Sequence, residues 1–174
     1  MEKRLNLSAF CIAFALVLFS INSKAQSNFL KPTISIGVLV EDLDKSIDFY
    51  TNVVGMVKVR EFVVDAAKAK RMGLSDTEKF DIKVLKLEDT DNATELKLMS
   101  FQKRTNHSQQ KFLPDANGIR YLTIFVNSLQ PILDRIKNNA IKTLGQSPTM
   151  LDEKRQFVLI QDPDGNFIEF ISSK

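Results

Sequence analysis

Two stretches of the chain combine a β-strand pattern with a helical repeat of apolar positions. Residues 33–40 are rich in β-branched side chains, which favour a strand. After Asp42, a residue type that caps helices, apolar side chains recur at i, i+4, i+7 and i+11 as far as Gly55. These side chains are Leu43, Ile47, Tyr50 and Val54. The pattern predicts a strand followed by a helix with one buried face, and it predicts that the helix ends at Gly55.

The same arrangement recurs 86 residues further along the chain. Residues 120–126 predict a strand, and Ser128 takes the place of Asp42 as the residue that caps the next helix. The apolar spacing of the first helix is repeated by Leu129, Leu133, Ile136 and Ala140. We therefore interpret the chain as two copies of one structural unit.

Three strands are predicted after each helix. They cover residues 56–64, 80–87 and 94–101 in the first copy and residues 141–144, 155–160 and 166–172 in the second. Residues 65–74 predict an added short helix, and the sequence Asp162-Pro163-Asp164-Gly165 predicts a type I turn. The result is an α+β fold of two βαβββ modules, at about residues 31–102 and 118–174, joined by a polar connector over residues 103–117.

The N-terminal residues follow a different pattern. Two basic side chains precede an apolar run over residues 7–21, and small side chains stand at Ser23 and Ala25. This pattern is typical of a secretory signal peptide, and the run is shorter than the roughly 20 residues of a membrane-spanning helix. We expect cleavage after residue 25, with an uncleaved anchor as the alternative. The mature protein would be periplasmic or secreted, without a membrane attachment.

Cleavage would leave 149 of the 174 residues, which suits a single domain. It would remove Cys11, the one cysteine of the chain, so no disulfide is expected. The remaining 21 basic and 20 acidic side chains are nearly balanced, which argues against nucleic acid as a partner. The densest basic cluster is Lys68, Lys70 and Arg71, and we interpret it as the solvated face of the short helix.

Two motifs resemble a known superfamily. The sequence from Val40 to Tyr50, followed by Val54-Gly55-Met56, is similar to the first module of glyoxalase I and its relatives. The sequence from Asp162 to Phe170 is similar to the end of their second module, and residues 118–126 resemble the strand that opens it. On these motifs the chain resembles the vicinal oxygen chelate superfamily of glyoxalases, bleomycin-resistance proteins and extradiol dioxygenases. The resemblance covers nearly all of the mature chain.

The resemblance implies a fold and a type of site. In this family the modules are related by pseudo-twofold symmetry, and each curls into half of an open, mixed β-barrel-like cavity. A divalent metal in the cavity is bound by His or Gln and by Glu, with one ligand from the first strand and one from the last strand of each module. The metal chelates two oxygens of the substrate and stabilises the anion that forms during the reaction.

Only part of this ligand set is carried over to this chain. The first-strand positions hold Ser35 and Tyr121, whereas Glu169 is retained on the last strand. The fourth position is Glu95 when the family pattern is followed and Lys97 when the internal repeat is followed. Glu95 and Lys97 are two residues apart, so they face the same side of the strand.

These replacements change the expected cofactor. Ser35 and Tyr121 are poor ligands for zinc, nickel or iron, so no cofactor is expected. Glu95, Glu169 and water leave open a weak site for a divalent cation such as Mg²⁺ or Ca²⁺. His107, the single histidine, lies in the connector and is expected to be exposed.

The first functional hypothesis is a module that binds a small molecule in the cavity, like the metal-free bleomycin-binding branch. Strand alternation predicts a mixed apolar and polar lining. Its ligand-binding positions are Ser35, Leu39, Glu95, Met99, Phe101, Thr123, Phe125 and Phe167. The connector is long enough to pair the two modules within one chain, and a homodimer stays open in addition.

The second hypothesis is a metal-free, glyoxalase-like lyase or isomerase. Glu169 would be its general base, Lys97 would stabilise the enolate, and Tyr121 would be the acid. In the structural alternative, Glu169 is a buried acid paired with Lys97, and the Tyr121 hydroxyl is bonded to Glu169 or Ser35. A metal-dependent lyase or dioxygenase is the third hypothesis, and the ligand replacements argue against it.

Overall fold

The computed structural model describes residues 28–101 and 110–173. The predicted signal peptide and His107 lie outside the described residues. Contacts divide the chain into two units, Met1–Pro32 and Thr33–Lys174, and the fold described below is that of the second unit. In the described part of the chain, no helix is long and apolar enough to cross a membrane.

The first module is a four-stranded mixed sheet with one main helix. Its elements are β1 (Ser35–Leu39), helix α1 (Leu43–Asp48) continued by a π-helical segment (Phe49–Val54), β2 (Val57–Val64), α2 (Ala66–Arg71), β3 (Phe80–Lys86) and β4 (Glu95–Phe101). The strand order is β1-β4-β3-β2. Strands β1 and β4 are parallel, and the other neighbours are antiparallel.

The second module repeats this topology. A short 3-10 turn (Leu113–Asp115) precedes β5 (Tyr121–Val126), α3 (Gln130–Asn138), β6 (Thr149–Met150), β7 (Arg155–Gln161) and β8 (Phe167–Ser173). The strand order is β5-β8-β7-β6, again with the outer pair β5 and β8 parallel. The predicted α+β fold of two βαβββ modules is therefore confirmed, and the two sheets remain open instead of closing into a barrel.

The local signals at the two ends of the first helix act as expected. The Asp42 carboxylate accepts a hydrogen bond from the Lys45 N–H at 3.0 Å, which satisfies a backbone donor that has no partner within the helix. The π-helical segment ends at Gly55, whose φ of 91° is a left-handed conformation that glycine adopts without strain. In the predicted turn, the Gly165 N–H donates to the carbonyl of Asp162 at 3.0 Å. The predicted cap Ser128 lies one residue before the N-cap of α3, Leu129, which makes no side-chain cap hydrogen bond.

One predicted strand is wrong. Residues 141–144 form only an isolated bridge between Thr143 and Ile160, and the fourth strand of the second sheet is the two-residue β6. Positive φ angles at Ala140 and Gly145 bend the backbone on both sides of this stretch. Because so little extended chain lies between the two bends, a regular ladder with β7 does not form.

The two sheets share one hydrophobic core. Alternate residues of β1, β4, β5 and β8 point into it, and the helices α1 and α3 cover it. From these strands it contains Ile36, Val38, Leu96, Leu98, Leu122, Ile124, Ile168 and Phe170. The other residues of the same strands point to the opposite side, which we call the inner face.

Hydrogen bonds join the modules at the edge of this core. The buried Tyr50 hydroxyl donates to the Asp162 carboxylate at 2.8 Å. Asp164, in the same turn, accepts from the Glu41 N–H at 2.9 Å and from the Ser46 hydroxyl at 3.3 Å. The turn of the second module is thereby held against the first helix of the first module.

Burial determines how Tyr50 and Asp162 ionise. Burial, followed by the negative charge of Asp162 and the hydrogen bond to it, raises the pKa of Tyr50 far above its ordinary value. Burial also raises the pKa of Asp162, against the opposing effect of hydrogen bonds from Asn166 and Tyr50. The folded protein therefore keeps Tyr50 protonated at pH values where an unfolded chain would ionise it.

This difference predicts an alkaline loss of stability that depends on Tyr50. Above about pH 10 the unfolded state loses the phenolic proton and the folded state keeps it, so stability should fall by up to ~1.4 kcal/mol per pH unit. Tyr50→Phe should be roughly 1–3 kcal/mol less stable than the unchanged protein near neutral pH, because Asp162 loses a donor. Urea unfolding near pH 8 and above about pH 10 measures both effects. The stability gap between the two proteins should narrow at the higher pH, and a constant gap would contradict this account.

Candidate functional site

By strand alternation, all the predicted site positions lie on the inner face, and both modules contribute to them. The first module contributes Ser35, Leu39, Glu95, Lys97, Met99 and Phe101, and the second contributes Tyr121, Thr123, Phe125, Phe167 and Glu169. Their backbone positions are set by the shared core behind them, because a strand with one face buried is held in register.

The polar part of the first module is centred on Glu95. The Ser35 hydroxyl donates to Glu95 Oε2 at 3.0 Å, and Arg60 Nη2 donates to both carboxylate oxygens at 2.9 and 3.0 Å. Lys97 Nζ lies 3.7 Å from Glu95 Oε2. We call these four residues the Glu95 cluster. Glu95 itself is only 8% exposed, so the cluster surrounds a carboxylate that is largely shielded from solvent.

A β-bulge brings Arg60 into the cluster. Lys58 pairs with Leu85, whereas Arg60 pairs with the very next residue of β3, Val84, so Val59 is the extra residue. Simple alternation places Lys58 and Arg60 on the same face, but the bulge turns Arg60 to the inner face. The sequence prediction missed Arg60 for this reason, since a bulge is defined by pairing between strands.

Arg60 has the largest effect on the ionisation of Glu95. Its hydrogen bonds hold the pKa of Glu95 at about 2, against burial, which raises it. The Ser35 hydrogen bond and the charges of Arg60 and Lys97 act in the same direction as the Arg60 hydrogen bonds. Glu95 is therefore an anion at neutral pH, with two cations beside it.

The inner face of the second module carries Glu169. The Thr123 hydroxyl donates to Glu169 Oε2 at 2.6 Å, and the two residues are register partners on adjacent strands. Tyr121 stands opposite Phe167, and Tyr121 and Phe125 are both exposed. Glu169 is thus a partly exposed carboxylate with a neutral hydrogen-bond donor.

These contacts correct the predicted pairings. Among the residues that the structure describes, Lys97 forms its ion pair with Glu95, and no hydrogen bond or ion pair joins Lys97 to Glu169. Within that part of the chain, the Tyr121 hydroxyl forms no hydrogen bond with Glu169 or Ser35. Glu169 accepts from Thr123 instead, and Ser35 donates to Glu95. The reason is local, since each carboxylate finds its partner within its own sheet.

A second apolar cluster occupies the other end of the first inner face. Met99 and Phe101 pack there against the buried residues Phe80 and Ile82, beneath Ala69 of helix α2. The Phe80 and Phe101 rings lie 4.8 Å apart between centroids. Met99 and Phe101 were predicted to line the cavity, but they bury part of their apolar surface against this cluster in the first module.

A pocket of about 220 Å³ lies where the edge strands of the two sheets meet. It is lined by residues 36–39 of β1, residues 119–122 around the start of β5, and Tyr50, Asn166 and Phe167. Leu39, Tyr121 and Phe167 are the predicted positions that line it. The remaining predicted positions lie elsewhere on the inner face: Ser35, Glu95, Lys97, Met99, Phe101, Thr123, Phe125 and Glu169.

The donors on the inner face differ from those of a transition-metal site. Both oxygens of Glu95 accept hydrogen bonds from a guanidinium group, and the Lys97 ammonium adds a second positive charge beside them. Ser35 offers only a neutral hydroxyl, which is already bonded to Glu95. Residues 28–101 and 110–173 hold no group of three or more His, Cys, Asp or Glu placed to bind a metal ion. Glu95, Ser35 and Lys97 therefore do not provide the nitrogen and carboxylate ligands that a transition metal requires.

The paired βαβββ modules around an inner face define a fold of the vicinal oxygen chelate type. Residues 34–170 match the family model of the Glyoxalase/Bleomycin resistance protein/Dioxygenase superfamily. The chain belongs to this superfamily. No curated protein sequence matches it.

Solved structures agree on the fold. A glyoxalase family protein from Bacillus cereus is 16% identical with a TM-score of 0.69, and the match covers 86% of this chain and 97% of that protein. Glyoxalase I from Zea mays is 19% identical with a TM-score of 0.62, over 80% of this chain and 44% of the maize enzyme. TnmS3, an antibiotic-binding protein from a Streptomyces species, is 17% identical with a TM-score of 0.55, over 82% of this chain and 95% of TnmS3.

The Glu95 cluster predicts an acid-dependent loss of stability. The lowered pKa of Glu95 contributes stability that is complete above about pH 5 and is lost as the pH falls towards 2. Glu95→Gln should therefore lower the free energy of unfolding by up to roughly 3 kcal/mol at neutral pH and by much less near pH 2. Urea unfolding at several pH values measures this difference.

Glu61 provides the control for this experiment. Hydrogen bonds from Lys58 and Lys83 also hold its pKa at about 2, but Glu61 is exposed. Because solvent and salt screen exposed ion pairs, Glu61→Gln should change stability little, and least at high salt. Equal effects of the two substitutions would show that the shielding of Glu95 has no energetic consequence.

Proposed function

We propose that this chain is an exported member of the superfamily that binds a small molecule on its inner face without the family metal. The observation that supports this most strongly is the Glu95 cluster. Where the family implies metal ligands, a carboxylate is already neutralised by the guanidinium of Arg60. A divalent cation placed beside Glu95 would be repelled by both Arg60 and Lys97.

The size of the pocket indicates how the ligand would lie. At about 220 Å³ the pocket between the edge strands is smaller than the ~300–1,000 Å³ of typical small-molecule sites. A ligand of ordinary size would therefore extend from the pocket over the open inner face. Leu39, Tyr121 and Phe125 are exposed there and offer apolar surface for it.

The antibiotic-binding activity named for TnmS3 shows that a protein of this fold can serve as a binding protein. At 17% identity the likeness concerns the fold alone, so it does not identify a ligand for this chain. The proposal for this chain therefore depends on its own inner face, where apolar side chains surround a few polar ones.

Glu169 favours a second candidate, a metal-free lyase or isomerase. Its carboxylate accepts one hydrogen bond, from the neutral Thr123 hydroxyl, and no cation in the described part of the chain pairs with it. A carboxylate in this state can take a proton from a bound substrate. The variant Glu169→Gln distinguishes the two candidate functions, because it would abolish turnover by such an enzyme but would leave apolar binding in place.

The binding function is tested with the neutral dye N-phenylnaphthylamine, whose fluorescence rises in apolar sites. We expect the dye to bind the purified native protein, and EDTA to leave its affinity unchanged. Leu39→Ser should weaken binding by roughly tenfold, because it removes apolar contact worth about 1–2 kcal/mol. Metal content, measured on protein purified without chelator, should be well below one ion per chain.

Leu87→Ser is the matched control. Leu87 is 45% exposed and Leu39 is 44% exposed, but Leu87 lies outside the pocket and the inner face. The dye affinity of Leu87→Ser should equal that of the unchanged protein. One firmly bound transition metal per chain, or equal loss of binding in both variants, would contradict the proposed function.

Export is tested separately, because it depends only on the N-terminal pattern. In the native host, or a host with a compatible secretion pathway, we expect the protein outside the cytoplasm with Gln26 as its first residue. Intact-mass analysis of the fractionated protein measures this. A chain that keeps residues 1–25 and stays in the membrane fraction would support the anchor instead, and one that keeps them in the cytoplasm would exclude export.

A further inference from the structure

We propose that the ligand of the inner face carries an oxyanion, such as a carboxylate or sulfonate, and that Lys97 and Arg60 bind it. This inference rests on the proposed function, since it concerns the ligand class of the same face. It gives Lys97 and Arg60 a part in ligand recognition beyond their contacts with Glu95.

Both cations have hydrogen-bond donors without a partner among the residues that the structure describes. Lys97 Nζ lies 3.7 Å from Glu95 Oε2, which is too long for a hydrogen bond, and its side chain is 31% exposed. Arg60 binds both oxygens of Glu95 through Nη2 alone, and its side chain is 48% exposed. In residues 28–101 and 110–173, Nε and Nη1 of Arg60 have no hydrogen-bonded partner, so they remain free for a ligand oxygen.

The Glu95 cluster also carries a positive charge in excess. It contains two cations, Arg60 and Lys97, and one carboxylate, so its net charge is one positive unit. The nearby Glu61 carboxylate is held by Lys58 and Lys83. In the strand register, Glu61 pairs with Lys83, and the next pair is Arg60 with Val84. Because neighbouring pairs point to opposite sides of a sheet, Glu61 and Lys83 lie on the side away from Arg60. Glu61 therefore does not balance the charge of the cluster on the inner face.

The strand register places both cations in one row on the inner face. Arg60, Val84, Lys97 and Gly37 form one row across the four strands of the first sheet. The neutral side chain of Val84 separates the two cations along this row, and Glu95 Oε2 lies 3.0 Å from Arg60 Nη2 and 3.7 Å from Lys97 Nζ. The Met99 side chain packs against Gly37 at the edge of the row. Nη2 belongs to both forks of the Arg60 guanidinium group and is bonded to Glu95, so Nε or Nη1 would each give an oxyanion one charged hydrogen bond, and the Lys97 ammonium group adds a point charge.

The rest of the inner face limits the shape of this ligand. Glu169, on the second sheet, would repel a negative group, so the oxyanion belongs on the first sheet. The exposed Leu39, Tyr121 and Phe125 suit an apolar or aromatic body. The class of ligand that fits is therefore an apolar or aromatic molecule with one oxyanion.

Two dyes that differ by one group test this inference. Anilinonaphthalene sulfonate is N-phenylnaphthylamine with an added sulfonate, so the pair isolates the effect of the anion. On the native protein we expect the sulfonate dye to bind roughly tenfold more tightly than the neutral dye, with the difference reduced by added salt. Lys97→Met should weaken the sulfonate dye by roughly five- to tenfold and leave the neutral dye unchanged.

Two further variants make the result specific. Lys83→Met removes a cation from the opposite face of the same sheet and should leave both dyes unchanged. Glu95→Gln removes the negative charge from the cluster and should tighten the sulfonate dye, provided that circular dichroism shows a folded protein. These two results, together with that of Lys97→Met, would support an anion site at the cluster.

Failure of the anion inference can be distinguished from failure of the proposed binding function. Equal affinity for the two dyes, with Lys97→Met the same as the unchanged protein, would overturn the anion inference and leave the binding function standing. Loss of both dyes in Lys97→Met would overturn it as well, because that pattern indicates lost packing. Binding of neither dye to the unchanged protein would overturn the proposed function itself.

Discussion

The two halves of this protein pack on one shared hydrophobic core, and a buried hydrogen bond from Tyr50 to Asp162 determines how they meet at its edge. A carboxylate removed from water is costly unless donors surround it, and Asp162 also accepts from the Asp164 N–H and from Asn166. The sheets do not close into a barrel, and within residues 28–101 and 110–173 no strand ladder joins the modules. The turn at Asp162, together with Arg135, which donates to the Val53 and Val54 carbonyls, fixes one module on the other.

This arrangement separates the part of the structure that maintains the fold from the part that presents the site. One face of β1, β4, β5 and β8 is buried in the shared core, so every second residue must lie on the inner face. A fold built in this way tolerates different side chains on the inner face, such as Ser35 and Tyr121 here, as long as the core is kept.

The same separation explains what the sequence could predict. The Asp42 cap and the Asp162 turn are local signals, and each was sufficient to place its element. The internal repeat predicted the two modules but not the fourth strand of the second sheet, which lies at Thr149–Met150. Arg60 was not predictable in this way, because the bulge at Val59 depends on how β2 pairs with β3. The partner of Lys97 was missed for a related reason: its contact with Glu95 is set by side-chain conformations on one strand, which alternation does not specify.

The composition of the Glu95 cluster is difficult to explain by stability alone. A shielded carboxylate needs one good partner, and Arg60 with Ser35 already provides three hydrogen bonds. Lys97 adds positive charge that the pair does not need, at a distance too long for a hydrogen bond. Ion pairs of this kind stabilise proteins little compared with apolar packing, so an apolar side chain at position 97 would serve the fold equally well. A second cation beside a satisfied carboxylate is better explained by a negative group that comes from outside the chain.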